Sequence, residues 1–126
     1  MMKRLCLAAV ILLAVAACSS TSPHGQAAEA AQPAAPAMPA GMEHISYAGG
    51  DGADCSRAVV IRGAKNEMEG IRAENIWILW VYPGARKTGQ SLVQRGGEPH
   101  DVIRFVTAGG EEGSMCFDIS GFFGKW

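Results

Sequence analysis

The chain has 126 residues, 48% of them hydrophobic, with 11 basic and 12 acidic side chains and a formal charge of −1. That balance, with no basic cluster and no interleaved aromatic and basic platform, gives nucleic-acid binding no support. Four cysteines and a Pro/Ala-rich stretch are spread unevenly, and the unevenness divides the chain into three parts.

Residues 1–17 carry Lys3 and Arg4, then an apolar run from Leu5 to Val15, then the small pair Ala16-Ala17. This is the three-zone layout of a secretory signal peptide. The run from Leu5 to Ala17 falls well short of the roughly 20 apolar residues a spanning helix needs. Val15-Ala16-Ala17-Cys18 resembles the lipobox of bacterial lipoproteins. The resemblance implies cleavage before Cys18, a diacylglyceryl thioether on its sulfur and, in many bacteria, an acyl group on its freed amine. At about 0.8 kcal/mol per buried methylene, one chain anchors marginally and two or three anchor stably. The lipobox would then attach the protein to a lipid bilayer through acylated Cys18. Ser19 and Ser20 follow without an aspartate, which by the same resemblance implies the periplasmic face of the outer membrane in a Gram-negative cell. The alternative is an ordinary signal peptide cut after Ala17 or another small residue, with Cys18 unmodified.

Residues 18–44 follow as a spacer of Ala, Pro, Ser, Gly and Gln, with prolines at 33, 36 and 39. Such a composition has little apolar surface to offset the entropy of ordering it. Residues 45–126 suffice for one small globular domain. After loss of Lys3 and Arg4 the remainder holds nine basic and twelve acidic groups, an ordinary soluble surface.

Once Cys6 leaves with the leader and Cys18 is lipidated, Cys55 and Cys116 remain. In an oxidising compartment two such cysteines in a small domain are expected to pair. The chain-entropy model gives this closure roughly 4 kcal/mol. The competing reading is two buried thiols packed as small apolar residues.

Ala58-Val59-Val60-Ile61 predicts a first strand. Asn66 with Glu69 three residues on forms a capping-box-like start for a helix, which Pro83-Gly84 ends near Tyr82. Met68, Ile71, Asn75, Ile78, Leu79 and Tyr82 lie near one helical face, interrupted by Asn75. Ile76 to Val81 is apolar nearly all round and also β-prone, so a strand there is the competing reading. Three strands are predicted near 87–94, 101–107 and 114–119, with Gly96-Gly97 and Gly109-Gly110 turning the chain between them. The expected fold class is α+β: one helix packed on a small, largely antiparallel four-stranded sheet in the order β-α-β-β-β. Alternation in the last strand points Cys116 away from the face of Phe117.

No catalytic constellation emerges. Cys55 or Cys116 could meet His44 or His100, but neither carries a catalytic signature, and pairing would remove both nucleophiles. Ser91 and Ser114 lack the nucleophile elbow, and no phosphate-binding glycine loop precedes the helix, so no cofactor is implied. Asp51 and Asp54, and His100-Asp101, fall short of a calcium or zinc ligand set; an Asx turn and a solvated strand end account for them. The aromatic residues remain as a candidate interaction surface: Trp77 and Trp80 on the helix, and Phe122, Phe123 and Trp126 in the tail. The competing reading is a tail that folds back to complete the core.

The stretches Gly63-Ala64-Lys65-Asn66-Glu67, Tyr82-Pro83-Gly84 and Phe117 to Trp126 resemble a loose group of small, uncharacterised Gram-negative lipoproteins, which implies no established activity. The expected function is a non-enzymatic binding or accessory module of the cell envelope with an unknown envelope protein as its partner. The alternative is an inhibitor of a hydrolase such as lysozyme, and an envelope enzyme is the third reading.

Overall fold

The structure, a computed structural model, describes residues 35–126; the leader, Cys18 and the first part of the spacer lie outside the described residues. Five strands and one helix follow in the order β1 (Ser46–Gly49), β2 (Val59–Arg62), α1 (Glu67–Val81), β3 (Arg86–Arg95), β4 (Glu98–Val106) and β5 (Glu112–Asp118). A short 3-10 turn at Cys55–Arg57 precedes β2.

The strands form one sheet in the order β1-β2-β5-β4-β3. The α+β class and the single helix agree with the sequence; the four-stranded sheet is corrected to a five-stranded mixed one, antiparallel at three of its four junctions. The added strand is β1, whose sequence Ser-Tyr-Ala-Gly has one strongly β-prone residue and ends in the glycine-rich loop that masked it. It pairs antiparallel with β2, Tyr47 opposite Ile61. The parallel element is the junction of β2 with β5, where Val59 faces Phe117. It arises because α1 carries the chain across the sheet to β3, and the β3-β4-β5 meander then returns to β2.

Local chemistry explains the boundaries. The Asn66 side chain accepts from the Glu69 amide at 3.0 Å, and the helix stops at Val81, two residues before Pro83. The segment from Ile76 to Val81 is therefore helical. Gly96 and Gly97 both have positive φ, which is what the two-residue turn between Arg95 and Glu98 demands.

The core lies between α1 and one face of the sheet, where Val59, Ile61, Ile103, Phe105, Met115 and Phe117 are buried. Met42 belongs to the same cluster and Met38 packs against it, so packed residues reach back into the Ala/Pro-rich stretch. Cys116 points to the opposite face and is bonded to Cys55, with Cα atoms 5.1 Å apart. The bond fastens the loop before β2 to the outer side of the sheet.

The helix presents a different face from the one its large apolar residues suggest. Gly70, Ala73, Glu74, Trp77 and Ile78 are buried, whereas Met68, Ile71, Leu79 and Tyr82 are exposed. Small residues at 70 and 73 let neighbours come close. A Cβ on Gly70 would stand 2.2 Å from the ring of Phe122, so the helical cost of this glycine is accepted for that contact.

Candidate functional site

The five aromatic candidates separate along α1. Trp77 is 8% exposed and packs between Tyr47 and Trp80, at ring separations of 4.8 and 5.4 Å. Tyr47 donates its hydroxyl to the Ala73 carbonyl at 2.7 Å, and burial pushes its phenol pKa upward. Trp80 is half-buried against the same cluster. At the other end Phe122 is buried on Gly70, while Phe123 and Trp126 remain on the surface, Trp126 being 98% exposed. Trp77 and Phe122 thus serve the core, and the tail supplies the exposed aromatic surface.

That surface is larger than the tail. Met68, Ile71, Arg72, Lys125 and Trp126 line one groove. Ile71 also lines a neighbouring cleft with Leu92, Phe122 and Phe123. Of the seven large hydrophobic residues exposed among the described residues, five lie here: Met68, Ile71, Leu92, Phe123 and Trp126. Scattered exposed apolar residues are ordinary, but a contiguous group marks a contact surface. Met68, Ile71 and Leu92 escape sequence inspection as site residues, because helical spacing places the first two on the face expected to meet the sheet.

The tail is held rather than loose. The Glu67 amide donates to the Lys125 carbonyl at 2.9 Å, and Glu67 Oε1 accepts from the Gly124 amide at 2.8 Å. Lys125 Nζ donates to the Gly121 carbonyl at 2.7 Å. One glutamate in the first turn of α1 therefore fastens the chain end that carries Phe123 and Trp126. Arg72 and Lys125 take part in no ion pair among the described residues, so the groove has a cationic rim.

Beneath the neighbouring cleft lies a feature not expected from the sequence. Glu74 is completely buried and neither carboxyl oxygen has a hydrogen-bond partner. Desolvation, and then the negative charge of Asp101, pushes its pKa up to about 9. The two Glu74 oxygens make no hydrogen bond, so desolvation rather than a partner keeps the carboxyl protonated. Asp101 accepts from Gln90 Nε2 at 2.7 Å, and Gln90 in turn accepts from Lys87 Nζ. Glu74 therefore keeps its proton at neutral pH. The signal was present in Gly70, Ala73, Glu74, Trp77 and Ile78, which also fall at helical spacing; larger side chains drew attention to Asn75 instead.

The other candidates have structural partners. Cys55 and Cys116 are joined, so neither is a nucleophile. His44 Nε2 is 2.8 Å from Glu69 Oε2, a contact that holds the Glu69 carboxyl below its usual range, and His100 Nδ1 is 3.0 Å from the Glu98 carbonyl. Asp51 accepts from the Ala53 amide in an Asx turn, and Asp54 caps the 3-10 turn through Ser56. Both aspartates also approach Arg57, at 3.4 and 3.6 Å. His100 and Asp101 are neighbours in β4 and so point to opposite faces of the sheet. Ser91 accepts from Arg104, and Ser114 is exposed on β5. Among the described residues no helix is long and apolar enough to cross a membrane. Comparison of the chain with protein-family models, with curated proteins and with solved structures finds no match.

Proposed function

We propose that the protein is a lipid-anchored, non-enzymatic binding module on the periplasmic face of the outer membrane, and that it works through the surface formed by Met68, Ile71, Leu92, Phe123 and Trp126. The observation that supports this reading is the fastening of Phe123 and Trp126, by Glu67, beside exposed aliphatic residues of α1 and β3. Leaving such a surface exposed carries an aggregation hazard, and ordering a chain end costs entropy; both are intelligible where the surface has an occupant. The lipobox-like Val15-Ala16-Ala17-Cys18 supplies the anchor and its compartment.

Two measurements test the reading. Intact mass of the protein purified from membranes should show diacylglyceryl and acyl groups on Cys18, and Cys18→Ser should release it from the membrane fraction. A photo-crosslinking residue at position 123 or 126 should capture an envelope component in living cells, while the same residue at Ser114 should not. Equal capture at all three positions would remove this surface from consideration. Inhibition of muramidases by the purified protein would favour the hydrolase-inhibitor alternative.

A further inference from the structure

Resting on that reading, we infer that the occupant of this surface is the bilayer itself: Trp126, Met68, Ile71 and Phe123 seat in the headgroup region of an anionic phospholipid leaflet, with Arg72 and Lys125 on lipid phosphates.

The chemistry of the surface selects this occupant. Its exposed members are an indole, a phenyl ring, a thioether and branched aliphatics, and its rim holds two cations without ion-pair partners. Indole rings favour the membrane–water interface, and Arg and Lys stems lie along apolar surface while their heads reach phosphate. The acidic side chain in the groove, Glu67, accepts from the Gly124 amide, and against its single negative charge Arg72 and Lys125 leave the lining side chains with a formal charge of +1. A leaflet of anionic lipid meets the same two cations with complementary charge.

The length of the tether permits the contact. Seventeen peptide steps separate Cys18 from Ala35, where the described chain begins. A chain of that many residues would span about 23 Å as a flexible coil and about 53 Å if fully extended in the polyproline form. Ala35 lies beside Trp77 and Val81, at the C-terminal end of α1, whereas Met68 and Trp126 lie at its N-terminal end. A 15-residue helix is about 22 Å long, so the tether can bring the far end of α1 down to the surface that holds the lipid. The lipid would act as the first anchor and the aromatic surface as a weaker second one.

The test uses the mature full-length protein in vesicles of phosphatidylethanolamine and phosphatidylglycerol whose acyl chains carry bromine, a short-range quencher of tryptophan. The expected result is quenching of the emission component that Trp126→Phe removes, with the emission of Trp77 little affected. Arg72→Glu with Lys125→Glu should abolish the dependence on phosphatidylglycerol, and Met68→Glu with Ile71→Glu should weaken the quenched contact by about tenfold. Flotation with vesicles and the mass of Cys18 report the lipid anchor independently. A protein that floats with its lipid but shows no quenching of Trp126 leaves the anchor standing and overturns this inference. An unmodified Cys18 in protein purified from membranes refutes the anchor, and Trp126 quenching when that protein is titrated with vesicles would still uphold the surface. Quenching unchanged by the charge reversals, or crosslinks from position 126 to a second copy or to one protein in place of lipid, would overturn it too.

Discussion

Aromatic side chains gather at both ends of α1, Trp77 and Trp80 on the helix itself and Phe122, Phe123 and Trp126 from the tail, and the two groups are put to opposite uses. At the C-terminal end Trp77 has Tyr47 of β1 across from it and Trp80 beside it, and the cluster closes over the core. At the N-terminal end the tail returns only Phe122 to the core, leaving Phe123 and Trp126 facing outward. The difference teaches that aromatic spacing along a helix does not decide burial. A four-residue strand on the other side of the interface does.

The comparison breaks most directly by truncating one residue from each end. Trp77→Ala should cost about 3–5 kcal/mol in urea unfolding, the range for removing a packed aromatic residue. If it costs less than about 1 kcal/mol, the C-terminal cluster is not part of the core. Loss of the disulfide sharpens the same contrast. Cys55→Ser with Cys116→Ser should cost about 2–5 kcal/mol, and hydrogen exchange should quicken at Ser46–Gly49 more than in the tail. The bond pins the loop that connects β1 to β2, so its removal should loosen the strand that covers Trp77 and spare the Glu67 fastening.

Glu74 sits between the two ends, and its titration bears on both. Its value in the folded protein is raised from the ordinary 4.5 to about 9, so the folded state retains a proton that the unfolded chain gives up. The resulting stability is complete below about pH 4.5 and is lost as pH rises toward 9, at about 1.4 kcal/mol per pH unit at most. Unfolding midpoints should therefore fall between pH 5 and 9, and Glu74→Gln should flatten that slope. A Gln variant with the wild-type slope would show that another group titrates in this window. The smallest effect belongs to the exposed end: Trp126→Ala should change stability by no more than about 0.5 kcal/mol while weakening the proposed vesicle contact.

Much of the fold is legible in the chain because single residues announce it. Asn66 caps the helix, Pro83 limits it, Gly96-Gly97 turns the hairpin, and the alternation around Cys116 sends its sulfur to the outer face where Cys55 meets it. What is not legible depends on partners distant in sequence. β1 has four residues and is a strand because Val59 to Arg62 offers it a ladder. The helix turns Gly70 and Ala73 inward because Phe122, some 50 residues later, needs the space. The exposed surface escapes notice for the same reason: Met68 and Ile71 have the hydrophobicity of core residues, and only the rotation of the helix places them outside.

The Cys55–Cys116 bond also sets how the domain would respond to being pulled. Tension applied between the two ends of the chain passes through that covalent link and bypasses β2, α1, β3, β4 and most of β5, which lie inside the closed ring. The ring encloses 61 residue steps, about 200 Å of contour that stays hidden until the bond is reduced. Under load the segments that can yield are the arm with β1 on one side and the aromatic tail on the other. A reducing agent would change this domain from one that slips at its edges into one that can be drawn out along its whole length.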